Sequence, residues 1–228
     1  MRAKRIIVFA CGLALVIGAI AVLTRTSMPR SAALTAREQV MEALGASIAK
    51  LSPQGQVLVL SNPFTKASGY LNEANQYERA AIRGLRNGLG QHIPVTVVFP
   101  EIRAEYFADR QSIILPPDCR TPLSYVVRPD SVEQLAQAHP ECRVIVSLIG
   151  LPAGVDRLEI WCDKDPRCFA LLLPDLRVLG PPAKVVEDFQ RGKLLAAVAQ
   201  DAKSGDPLVV TRENVEAVLE RQPKALGY

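Results

Sequence analysis

Histidine is nearly missing from this chain: there are two in 228 residues, His92 and His139. Both stand just ahead of apolar β-branched runs. On a sheet they would therefore lie at the edge opposite a site, which argues against Ser-His or His-metal chemistry. The Walker P-loop and the glycine-rich dinucleotide fingerprint are also absent, so no motif supports nucleotide binding. No Cys-x-x-Cys or Cys/His spacing of the zinc type occurs, and neither a metal nor a cofactor is expected. A strong charge of one sign is lacking too. Basic residues number 27 against 23 acidic, three of the basic ones fall in the first five positions, and nothing points to nucleic acid. Only one long uncharged apolar run is present, which excludes a multi-spanning chain. With 49% hydrophobic and 22% charged residues, the composition excludes a mainly disordered or collagen-like chain.

That single run gives the address. Arg2, Lys4 and Arg5 precede residues 6–23, an apolar stretch of about 18 residues, the lower limit for a membrane-crossing helix. Two outcomes are open. Ala19-Ile20-Ala21 resembles a signal-peptidase site, which would release the domain. The run continues through Val22 and Leu23, which favours an uncleaved signal-anchor. The short basic start favours an N-in, C-out orientation. The expectation is a single-pass protein of the bacterial inner membrane, with a transmembrane helix in 1–24, a juxtamembrane helix and linker in 25–54, and a periplasmic domain in 55–228.

Four cysteines follow the membrane run: Cys119, Cys142, Cys162 and Cys168. In an oxidising compartment the short 162–168 loop closes easily, leaving Cys119 to pair with Cys142; four free thiols are the alternative.

Beyond the anchor, Thr35-Ala36-Arg37-Glu38 fits a capping box. Val40, Met41, Leu44, Ile48 and Leu51 then form one helical stripe, either a spacer or a helix packed on the domain. Short β-branched runs then alternate with helical stretches. Strands are expected at 57–60, 95–98, 144–149, 169–173, 194–199 and 208–210, and helices at 72–88, 131–139, 155–162, 182–191 and 213–221. This alternation predicts an α/β fold, a three-layer Rossmann-like domain with a mostly parallel sheet of about five to six strands. Residues 100–129, rich in proline and polar groups, form a long insertion.

In such sheets ligands bind beyond the carboxyl ends of the strands. That rule selects Ser61, Asn62, Thr65 and Lys66 after the first strand, Glu101 after the second and Asp175 after the fourth as ligand-binding candidates. The first loop precedes a helix N-terminus, which favours an anion. Glu101 and Asp175 are also a candidate acid/base pair for a hydrolase or transferase, though no residue is assigned a catalytic role in the leading reading. Arg79, Arg83 and Arg86 share one helical face and offer a docking surface for an envelope partner.

The opening strand, polar loop and helix, with Asn62-Pro63-Phe64 and Ala81-Ile82-Arg83-Gly84-Leu85, resembles the first lobe of type I periplasmic substrate-binding proteins. The segment Leu208-Val209-Val210-Thr211-Arg212-Glu213-Asn214-Val215 is similar to a late segment of the same family. Full members have two lobes around a cleft, and this chain has the length of one. The resemblance implies a Rossmann-like, solute-binding type of fold. The leading expectation is a non-enzymatic periplasmic domain that binds a small polar solute or a partner protein, with a hydrolase or transferase using Glu101 and Asp175 as one alternative. A structural subunit of an envelope complex is the other.

Overall fold

The computed structural model describes residues 30–52, 55–66, 73–201 and 204–228. The expected membrane segment 6–23 and its cleavage site lie outside the described residues. Among those described, no helix is long and apolar enough to cross a membrane. The chain divides into Met1–Ala36, whose described residues 30–36 are helical, and a compact unit Arg37–Tyr228.

The unit is built on a six-stranded sheet: β1 (Gln56–Leu60), β2 (Val95–Val98), β3 (Cys142–Ser147), β4 (Cys168–Leu172), β5 (Leu194–Gln200) and β6 (Pro207–Val210). Their spatial order is β2-β1-β3-β4-β5-β6. All pairs are parallel except β5–β6, which is antiparallel. Six residues separate β5 from β6, too few for a parallel crossover, so the chain returns as a hairpin. The order in which successive strands are added reverses between β1 and β3, the place where open α/β sheets form a crevice.

Alternate residues of each strand face alternate layers. Val57, Val59, Val144, Val146, Leu172 and Val198 face α1 (Arg30–Leu51) and α2 (Glu73–Leu89). Leu58, Leu60, Ile145, Phe169, Leu171 and Ala197 face α5 (Pro129–Ala138), α6 (Pro182–Gln190) and α7 (Val215–Arg221). Buried on both faces, these strands are nearly continuous apolar runs.

Of the two readings for the stripe at 40–51, the packed one describes this molecule. Val40, Met41, Leu44 and Ile48 are buried, each contributing roughly 1.5–3 kcal/mol of apolar burial. Glycines let α1 and α2 touch backbone to backbone. A Cβ at Gly84 would stand 2.0 Å from Glu38 O, one at Gly88 2.1 Å from Glu42 O, and one at Gly45 2.5 Å from Leu85 O.

Three expectations need correction. Thr35 does not cap a helix, because α1 already begins at Arg30. Residues 155–162 form two single 3-10 turns, Val155–Arg157 and Glu159–Trp161, because Leu158 between them is extended. The disulfides are not formed: Cys119, Cys142, Cys162 and Cys168 are all free thiols. Cys142 opens β3 at the amino edge, whereas Cys119 is within electrostatic reach of Arg177 beyond the carboxyl end of β4. A strand length of roughly 17 Å separates those edges, far beyond the reach of a disulfide. The Cys162 thiol instead donates to Leu158 O and the Cys168 thiol to Arg143 O.

The insertion 100–129 is closed at its neck by an Ile102–Val127 bridge. It carries α3 (Ala104–Ala108) and α4 (Leu123–Val126).

Candidate functional site

The loop after β1 is an internally bonded turn. Asn62 caps the 3-10 turn Pro63–Thr65 by accepting the Phe64 N–H at 3.0 Å, and the Thr65 hydroxyl donates back to Asn62 O at 2.7 Å. Ser61 is buried and its hydroxyl donates to Glu78 Oε2 at 2.5 Å, which also receives the Asn62 N–H at 3.4 Å. Lys66 is exposed beyond them. The polar groups that made this loop attractive in sequence thus hold β1 to α2.

The two carboxylates are held separately, each by its own arginine. Glu101, at the neck of the insertion, pairs with Arg128 at 2.7 Å. Asp175 is buried and receives both Nε and Nη2 of Arg177, at 2.8 and 2.6 Å, plus the Arg120 N–H at 3.3 Å. Burial raises the Asp175 pKa, but Arg177 and the Arg120 N–H outweigh it and hold the carboxyl below its usual range. It is therefore ionised well below neutrality and is a poor proton acceptor at pH 7. Arg177 also reaches Pro117 O and Asp118 O, so this pair staples the insertion to the sheet. Gly227, at φ 96°, fits against it where a Cβ would stand 2.5 Å from Asp175 Oδ1.

Two cavities open at the carboxyl edge beside this staple and share Arg120 and Leu173. The larger, about 960 Å³, has a polar rim of Arg120, Gln200, Asp201, Arg221, Gln222 and Lys224 around an apolar floor of Leu173, Ala199 and Ala225. The smaller, about 170 Å³, is walled by Pro122, Leu123, Leu148, Ile149 and Leu172, with Arg37 and Thr121 as its other polar residues. Leu173 is a non-glycine residue at φ 42°, and 39% of it is exposed. Such backbone strain, of order 1–3 kcal/mol, concentrates at functional sites. Gly150, at φ 85°, lets the insertion close over the end of β3, since a Cβ there would stand 2.6 Å from Thr121 Cβ.

Arg37, on a helix rather than at a strand end, is not selected by the strand-end rule. It lies on the same helical stripe as Met41, Leu44 and Ile48, four, seven and eleven positions ahead of them, and is half-buried. Its Nε is buried without a hydrogen-bond partner among the described residues. Burial lowers its pKa, and the charges of Glu78 and Tyr77 offset this only in part.

A separate feature lies on the insertion. Phe64 packs on Tyr106, and Tyr106 on Phe107, with ring centroids 5.8 and 5.9 Å apart. Phe107 is 70% exposed and Ile114 87%. Of the three arginines on α2, Arg83 is tied to Glu38 of α1 at 3.0 Å.

No protein-family model and no curated protein matches the chain. Solved structures do. A carbohydrate transporter from Acidothermus cellulolyticus, in complex with myo-inositol, is 13% identical with a TM-score of 0.48, over 83% of this chain and 62% of that one. A solute-binding protein of an ABC transporter from Agrobacterium vitis, with bound D-fucose, is 14% identical with a TM-score of 0.48, over 85% and 62%. A periplasmic solute-binding protein from Actinobacillus succinogenes, with bound D-allose, is 12% identical with a TM-score of 0.46, over 79% and 61%. The chain spans about three fifths of the length of these structures.

Proposed function

We propose that the unit Arg37–Tyr228 is a solute-binding domain that takes a small polar molecule at its carboxyl edge. The observation that carries this reading is the 960 Å³ cleft, where two arginines, a lysine, two amides and a carboxylate surround an apolar floor. A concave apolar surface with a few convergent polar groups is the usual form of a small-molecule site. Ser61, Asn62 and Thr65 fix the end of β1, and Asp175 supports the site by holding Arg120 and Arg177, while Lys66 and Glu101 line neither cavity. The basic start and apolar run 6–23 favour a membrane-tethered, periplasmic address. No step of catalysis is part of this reading.

The test is thermal unfolding of the full chain, in mild detergent, against sugars, amino acids, nucleosides and organic acids. A ligand at a hundredfold excess over its dissociation constant adds about 2.7 kcal/mol of stability. A shift confined to one chemical class, weakened in Arg221→Ala and in Gln200→Ala, is the expected result. No shift across the panel would leave the second reading, an envelope-complex subunit. The exposed Phe107 and Ile114 favour that alternative, and crosslinking from the insertion would then capture a partner.

A further inference from the structure

We propose that the smaller cavity, beneath Arg37, is a subsite for the carboxylate of a small organic acid. This rests on the solute-binding reading and names the chemical class of the solute.

The geometry has three parts. First, the guanidinium is built in. Arg37 stands at the start of the segment of α1 clamped against α2 through Gly84, Gly88 and Gly45, so its backbone has no freedom to withdraw. A planar fork of N–H groups, one of them buried and without a partner among the described residues, matches the two oxygens of a carboxylate. Second, the walls are apolar. Pro122, Leu123, Leu148, Ile149 and Leu172 offer no hydrogen bonds from their side chains, and the Thr121 hydroxyl lies 3.3 Å from that of Ser124. A phosphate dianion needs more donors than this; a monocarboxylate with a short carbon chain does not. Third, the cavity adjoins the larger cleft at Leu173 and Arg120. A molecule anchored on Arg37 extends over Leu173 toward the polar rim, which accommodates hydroxyl or amide groups.

Glu78 is a nearby negative charge that offsets the burial of Arg37 only in part, and it leaves the Arg37 Nε without a partner among the described residues. Its Oε2 is already engaged by the Ser61 hydroxyl and the Asn62 N–H.

The experiment titrates the full chain in detergent by calorimetry with acetate, propionate, isobutyrate, lactate and pyruvate. The uncharged amides of the same acids and a set of neutral sugars serve as comparators. Expected are binding by at least one carboxylate, none by its amide, and a loss of about tenfold or more in affinity in Arg37→Gln. Amides binding as well as acids, or Arg37→Gln binding unchanged, overturns the carboxylate subsite. Neutral sugars binding while acids do not also overturns it but leaves the solute-binding reading standing. No binding by any compound overturns the subsite, and a blank across the wider thermal panel overturns the solute-binding reading as well. Should Arg37→Gln fail to fold, Leu173→Asp places a like charge at the mouth. Retention of carboxylate binding in that variant overturns the proposal equally.

Discussion

At the amino edge of the sheet, Lys193 is buried and its ammonium group donates to three carbonyls, Ile160 O, Asp165 O and Arg167 O, at 3.3, 2.6 and 3.3 Å. Beside it, Arg191 joins the fully buried Asp188 to Asp163, and Arg167 chelates Asp165. At the carboxyl edge Arg37 is half-buried, and its buried Nε meets no acceptor among the described residues. One edge uses its buried cations to close loops around Trp161, which packs on Phe169 at 5.1 Å. The other holds a cation over a cavity. A buried cation with every donor engaged is architecture. A half-buried cation with a buried donor to spare, next to a strained Leu173, is the feature on which the proposed subsite rests.

The comparison breaks most severely if the platform under Arg37 fails. Gly88→Val drives a side chain into Glu42 O and Ala46 N of α1, and should destabilise by about 3 kcal/mol or prevent folding; urea unfolding reads this directly. Next in size are the two cations themselves. Lys193→Met leaves three carbonyls without their donor and should cost roughly 2–3 kcal/mol. Arg37→Met removes a desolvated charge from apolar walls and should be neutral or stabilise by about 1 kcal/mol. Equal losses in the two variants would erase the distinction between the edges.

The strands were legible because each is buried on both faces and written as an apolar run. The carboxyl edge followed from topology alone. The individual contacts were not legible. Ser61 and Asn62 are hydrogen-bonding residues in a loop, and only the position of Glu78, sixteen residues past Asn62, shows that their bonds stay inside the protein. Asp175 met its neutraliser two residues away, a spacing that says nothing until the turn at Leu176–Leu179 folds Arg177 back. Arg37 is a charge in register with Met41, Leu44 and Ile48. A helical stripe announces its apolar members, and a single charge on it carries no signal until the facing elements are in place.

Two smaller effects sharpen the picture. Asp175 titrates below an unfolded aspartate, so its contribution is complete above about pH 4 and is lost as pH falls through the depressed folded value. Stability measured from pH 5 down to pH 2 should show this limb, and Asp175→Asn should flatten it. Cys162 is exposed, whereas burial pushes the Cys142 and Cys168 thiols up to about 11. Of the four cysteines at 119–168, a maleimide at pH 7 should modify Cys162 first and reach Cys142 and Cys168 only after denaturation. Protection of Cys162 that a reductant reverses would restore the 162–168 disulfide.

The glycine contact between α1 and α2 also has a genetic signature. At positions 45, 84 and 88 even alanine carries an atom that the facing backbone cannot make room for. A saturation library sorted only for folded, protease-resistant protein should return glycine alone at those three codons, while the exposed neighbours Glu42, Arg86 and Asn87 vary freely. Such a footprint would report the docking of the helix that carries Arg37 with no solute in hand.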